Sequence, residues 1–121
     1  MGLFSSKQKV AFPWVNLTSS EQLQELLNSS GEKPVVLFKH STRCSISSMA
    51  LNRFETNMDP EKATCVYLDL LSYRSLSDEI AQVAHVEHQS PQAILINHRE
   101  VIYSATHTAI DAFEIMKHIE L

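Results

Sequence analysis

The segment Lys39-His40-Ser41-Thr42-Arg43-Cys44-Ser45-Ile46-Ser47 concentrates residue types that do chemistry. A cysteine stands there among hydroxyl-bearing and cationic neighbours, where an apolar run hands over to residues with helical spacing. A thiol at a helix start meets unpaired backbone N–H groups and the positive end of the helix dipole. Arg43, Lys39 and His40 add positive or potentially positive charge. Each of these influences favours the thiolate, which is the nucleophilic form of cysteine. Ser47, three residues on, offers a hydroxyl hydrogen bond to the sulfur but cannot close a disulfide with it. The competing reading is a buried cysteine acting as a small hydrophobe, and the polar flanks argue against it. His40 reads as a base for Cys44 or as a polar residue at the edge of its site.

Other positions carry weaker signals. Pro91, in Ser90-Pro91-Gln92, is either an ordinary strand-start proline or a cis proline in a tight turn; spacing does not choose. Cys65 lies in a β-forming run, alternating with Tyr67, and reads as a core thiol. It would act as a resolving cysteine only if it came within reach of Cys44. His85 and His88 make a lone His-x-x-His, which reads as two surface histidines, and no metal site is expected. Trp14, the single tryptophan, reads as packing on the domain edge.

The elements that must position these residues follow from periodicity. Residues 1–17 form an irregular or short-strand lead-in. Thr18 and Glu21 read as a capping box for a helix with Leu23, Leu26 and Leu27 on one stripe, ended by Ser29-Ser30-Gly31. Pro34 opens Val35–Phe38, an unalternating apolar run typical of a strand buried on both faces. Ile46, Ala50 and Phe54 mark a helix that begins near Cys44 and ends at Asp59-Pro60. Residues 63–70 form the next strand. Leu76, Ile80, Val83 and Ala84 mark a helix after a turn at 72–75. Strands at 92–97 and 100–105 are separated by His98-Arg99, which makes them an antiparallel hairpin. A last helix over 108–120 carries Ala109, Ala112, Phe113, Met116 and Ile119 on one face. The strand-helix-strand unit should be parallel with a right-handed crossover. No internal repeat or linker interrupts residues 1–121, so a single α/β domain is expected.

Composition narrows the function. In 121 residues there are 10 Lys plus Arg against 14 Asp plus Glu, a net charge of −4. No basic stripe suits a nucleic-acid partner, and no apolar run approaches the roughly 18 residues of a membrane span. The start of the chain lacks the apolar core and cleavage site of a signal peptide. The expected compartment is therefore the cytoplasm, where structural disulfides are rare. Met1, Gly2 and Ser6 also fit the loose myristoylation pattern.

Taken together, the element order, the cysteine after the first core strand and the proline before the hairpin resemble the thioredoxin fold. FKHSTRCSIS, the Trp14 lead-in and Ser90-Pro91-Gln92 resemble the monothiol bacilliredoxin family. That resemblance implies a four-stranded mixed sheet flanked by helices, with an extra N-terminal helix. It implies that Cys44 is the single active cysteine and that Ser47 stands where dithiol relatives keep a resolving cysteine. Pro91 would be the fold's cis proline, with Ser90 offering backbone hydrogen bonds to an extended thiol or peptide. Cys44 and Ser47 are then the catalytic candidates, and Arg43, Ser45, Ile46, Ser90 and Pro91 the substrate-binding ones. The implied reaction is thiol-disulfide exchange on S-thiolated proteins, with bacillithiol or a similar small thiol as co-substrate and no tightly bound cofactor. Arg43 and Lys39 would attract the small thiol's carboxylates. A monomer is expected. Ser45 departs from the proline that many members carry after the cysteine, which restores an N–H at the first helical position.

Two other classes compete. A thioredoxin-like binding module would use the groove beside Pro91 without turnover. A monothiol glutaredoxin-like iron-sulfur carrier would carry Gly-Phe where this chain has Ser45-Ile46.

Overall fold

A computed structural model describes residues 11–120. The myristoylation pattern and most of the lead-in lie outside them. In chain order the elements are β1 (Val15–Asn16), α1 (Ser20–Ser29), β2 (Val35–His40), α2 (Ser45–Asn57), β3 (Thr64–Asp69), α3 (Arg74–Ala84), β4 (Gln92–Asn97), β5 (Glu100–Thr106), a 3-10 turn (His107–Ala109) and α4 (Ala112–Ile119). The sheet runs β1-β3-β2-β4-β5. It therefore has one strand more than expected. β1 is only two residues long and pairs with Val66 and Tyr67 at the edge of β3, too short to leave a periodic signature.

All six residues of β2 are buried, as its unalternating sequence requires of a central strand. β3 runs parallel to it, in register from Val35↔Thr64 to His40↔Asp69. β4 runs antiparallel on the other side, and Lys39 faces Gln92. Alternate residues of β2 feed two cores. Val36 and Phe38 pack with Ala50 and Phe54 of α2 and with Ala112 and Ile115 of α4. Val35 and Leu37 pack with Leu23 and Leu27 of α1 and with Leu76 and Ile80 of α3. Phe54 is fully buried, and truncating such a ring to alanine costs about 3–5 kcal/mol.

Several boundaries differ from the sequence expectation. The N-cap of α1 is Ser19, whose hydroxyl accepts from the Gln22 amide at 3.1 Å. Thr18 instead donates its N–H to the Gln22 side chain at 2.8 Å, so the cap is shifted one residue from the Thr18–Glu21 pair. In α2 the buried row is Ser47, Ala50 and Phe54, while Ile46 is 46% exposed. The last helix starts at Ala112, capped by Asp111. Ala109 belongs to the preceding 3-10 turn, and Phe113 is exposed. The hairpin turn holds His98 and Arg99 at φ 53 and 64, the left-handed pair that a two-residue type I′ loop demands. Ser30 fixes it by accepting from the Arg99 amide at 2.8 Å.

Candidate active site

β2 ends at His40 and α2 begins at Ser45, so residues 41–44 form a tight link at one end of the sheet. Cys44 donates its N–H to the Ser41 carbonyl at 3.1 Å and accepts from the Ser48 amide at 3.1 Å. It is the N-cap of α2, in extended conformation, and its side chain takes no capping hydrogen bond. A serine or aspartate there would engage the first helical N–H groups; this thiol leaves them available. Cys44 is half-buried, while Arg43, Ser45 and Ile46 are exposed around it.

Ser47 corrects an expectation. It is fully buried, and its Oγ lies 2.7 Å from His40 Nδ1 and accepts from the Ser41 amide at 3.1 Å. No hydrogen bond joins it to Cys44 Sγ among the described residues. The hydroxyl is committed to the strand end instead of the sulfur. His40 is correspondingly interior rather than at the site's edge, 4% exposed and 5.7 Å from the Tyr67 ring centroid. Burial lowers its pKa below the usual imidazole value, against an opposing pull from Asp69 and Glu55.

Lys39 also departs from expectation. Alternation along β2 points it to the opposite face from His40, where it is fully buried. Its ammonium donates to the Ser77 carbonyl at 3.1 Å and lies 3.2 Å from His88 Nδ1. It cannot attract a substrate carboxylate at the surface. Arg43 is the cation beside Cys44 that remains exposed.

The Ser90-Pro91 bond is cis. Pro91 precedes Gln92, the partner of Lys39, so it lies level with the end of β2 from which Cys44 is presented. The Pro91 carbonyl accepts from the His107 amide at 3.0 Å, which ties the end of β5 to the same place. Ser90 Oγ is buried and has no hydrogen-bond partner among the described residues.

Cys65 is 2% exposed in the α2/α4 core. Burial pushes its thiol up to about 12. It lies four residues before Asp69, the partner of His40, or about 13 Å down the strand at ~3.3 Å per residue. It is a core thiol, out of reach of Cys44. Trp14 packs against Phe12, Phe38, Phe54 and Tyr67, and its indole N–H donates to Glu55 at 2.6 Å.

Three participants escaped the sequence reading. The Glu55 carboxylate anchors Trp14, and no spacing rule links residues 41 positions apart. Gln92 is 1% exposed and bonds the chain before Pro91 through both ends of its amide; a polar residue opening an apolar strand was its signal. His107 contributes a backbone group, which leaves no trace in residue type. The arrangement as a whole offers one accessible thiol at a helix start, no second thiol within reach, and an exposed arginine beside it. That suits nucleophilic displacement at sulfur.

The family model for monothiol bacilliredoxin BrxC matches residues 15–115. Among solved structures, a thioredoxin-fold protein described as a proposed oxidoreductase is similar at 29% identity, covering 86% of this chain and 91% of its own, with a TM-score of 0.77. A point mutant of thioredoxin from Halobacterium salinarum NRC-1 is similar at 16% identity, covering 93% and 94%, with a TM-score of 0.69. Spinach chloroplast thioredoxin f is similar at 16% identity, covering 88% and 85%, with a TM-score of 0.68.

Proposed function

The chain belongs to the monothiol bacilliredoxin family and is a thiol-disulfide oxidoreductase of thioredoxin fold; within that activity, we propose that Cys44 removes bacillithiol from protein mixed disulfides. The observation that carries this reading is the solitude of Cys44. It sits half-buried at the start of α2, while the only other cysteine is sealed in the core. With no partner thiol, the enzyme must end its first step as a mixed disulfide with whatever it has taken.

Two displacements at sulfur complete the cycle. The Cys44 thiolate attacks the sulfur of the small thiol in the protein mixed disulfide. A Cys44–small-thiol bond forms, the original disulfide breaks, and the protein leaves as a thiolate that takes a proton from water. A second small-thiol thiolate then attacks the small-thiol sulfur bound to Cys44. The symmetrical disulfide departs and the Cys44 thiolate returns. Backbone N–H groups at the start of α2 face the charge that develops on Cys44 as leaving group. Ser90 and Pro91 form the opposite wall, and Ser45 and Ile46 the near one. Arg43 raises the encounter rate with a carboxylate-bearing thiol. Ser47 acts through its hold on the loop rather than on sulfur. S-thiolated proteins in the cytoplasm are the corresponding partners, and the chain works as a monomer.

The test is intact-mass spectrometry after incubation with bacillithiol disulfide, beside glutathione disulfide, on the wild type and on Cys44→Ala. A single bacillithiol adduct, absent in Cys44→Ala, is expected. A glutathione adduct without a bacillithiol one would refute the choice of thiol.

A further inference from the structure

Lys39 is a fully buried cation that the exchange chemistry leaves unused. Burial holds its ammonium at a pKa of about 8, well below the usual lysine value. An apolar side chain of the same length would fill this place without that cost, so its contacts matter. The ammonium donates to the Ser77 carbonyl of α3 and meets His88 Nδ1 at 3.2 Å. Ser77 is itself buried, and its Oγ lies 3.0 Å from the same His88 nitrogen. Directly across the ladder from Lys39, buried Gln92 donates to the Glu87 carbonyl at 3.0 Å and accepts from the Gln89 amide at 3.4 Å. Three consecutive residues, Glu87, His88 and Gln89, are thus each held from below by a buried side chain. The next two residues are Ser90 and Pro91.

We propose that Lys39, with His88 and Gln92, is a positioning group for thiol exchange, fixing the segment 87–89 so that Ser90 and Pro91 stand correctly opposite Cys44. This rests on the reading of Ser90 and Pro91 as the far wall of the substrate site. Lys39 touches no substrate and acts only through the segment it holds. The latch carries its own pH dependence. Nδ1 must be unprotonated to accept from an ammonium, and protonating it turns two donors against each other. His88 faces Lys39 from β2 and Asp78 and Arg74 from α3; Leu68 of β3 and Gln92 of β4, beside Lys39, carry no charge. Burial and the two cations lower the His88 pKa while Asp78 opposes them. The latch therefore holds through neutral pH and opens in acid.

The test compares Lys39→Met, His88→Leu and His88→Asn. Asparagine places a non-titrating acceptor near the position of Nδ1. Rates are read with whichever mixed disulfide the wild type turns over. Lys39→Met and His88→Leu are expected to lose about tenfold or more in exchange rate, as misplacement of a site wall does. Their amides at 87–90 exchange hydrogen faster, while iodoacetamide alkylates Cys44 at the wild-type rate. His88→Asn keeps the neutral-pH rate and outperforms the wild type near pH 5. Taking the ratio of the two rates cancels the titration they share. A residue serving stability alone would shift melting temperature without moving that ratio.

Wild-type rates in folded Lys39→Met and His88→Leu overturn the proposal. So does a lost rate that His88→Asn does not restore, or a ratio flat from pH 7.5 to 5. If Lys39→Met does not fold, the His88 variants decide, because His88 is an exposed residue outside both hydrophobic cores, although its Nδ1 reaches inward. If the wild type turns over neither disulfide, the bacillithiol reading fails separately. Amide exchange at 87–90 then decides this one, unchanged protection refuting it.

Discussion

Ser47 Oγ lies 2.7 Å from His40 Nδ1, so the third residue of α2 is fastened to the end of β2 and not to the thiol it follows. The same oxygen accepts the Ser41 amide at 3.1 Å. One buried hydroxyl thereby joins strand, link and helix around Cys44. Ser47→Ala leaves the half-buried Ser41 amide and the buried His40 imidazole nitrogen unpaired, at a cost of about 1–3 kcal/mol. For a domain of this size the melting temperature should fall by about 4–12 °C. Exchange should persist at reduced rate, because the sulfur loses no direct partner. Calorimetry and a single-turnover assay on the same preparation check both halves. Complete loss of exchange in a folded Ser47→Ala protein would mean that the hydroxyl acts on sulfur after all.

His40 makes stability depend on acid. Its folded pKa is lowered, first by burial, so the unfolded chain binds the proton more readily. By linkage, stability is lost as pH falls below the ordinary imidazole value of about 6.5, and the loss levels off below the folded pKa. No such contribution changes above that value. Denaturant titrations between pH 7.5 and 4.5 should show a steeper acid decline in the wild type than in His40→Asn. Parallel declines would place His40 in a solvated environment, contrary to its 4% exposure.

The cysteines should differ sharply toward alkylating agents. Iodoacetamide at pH 8 is expected to add one label to the native protein, at Cys44, and two in denaturant. Cys65 resists because its thiol is 2% exposed and pushed up to about 12. Cys65→Ala removes one buried sulfur and should cost about 1–2 kcal/mol while exchange continues at the wild-type rate. If Cys65→Ala abolishes turnover, the one-cysteine cycle is wrong.

Much of this was legible in the sequence because it was local. The unbroken run Val35–Phe38 marked a strand buried on both faces, and the change of period at Cys44 marked a helix start. Cys65, alternating with Tyr67, marked a core thiol. What escaped was set by contacts between distant segments. The pairing of Lys39 with His88, 49 residues apart, has no sequence period, whereas the cis form of the Ser90-Pro91 bond, which spacing left open, was supplied by the resemblance. Period two along β2 does put Lys39 and His40 on opposite faces, so strand alternation alone separates Lys39 from the surroundings of the thiol. The Ser47 expectation failed for another reason. A buried hydroxyl takes the partners that most need satisfying, and the Ser41 amide and His40 ring were nearer claims than the sulfur.

Arg43 is the exposed cation next to Cys44 in the chain. An exposed charge contributes little to folding but acts on approaching ions through the field it sets up. With the chain at net −4, an anionic small thiol meets overall repulsion, and a local positive charge at the site partly offsets it. Arg43→Gln should therefore leave the melting temperature within about 2 °C, as surface substitutions do. It should slow the second-order reaction with a carboxylate-bearing disulfide by about two- to fivefold at low salt, because local charge governs encounter. The gap should close as ionic strength rises toward 1 M, where the screening length falls to about 3 Å. A neutral disulfide, such as that of 2-mercaptoethanol, should react equally with both proteins. Stopped-flow rates at several salt concentrations, with both disulfides, separate the cases. A deficit that persists at high salt or extends to the neutral disulfide would make Arg43 a shaping contact in the site and not an electrostatic guide.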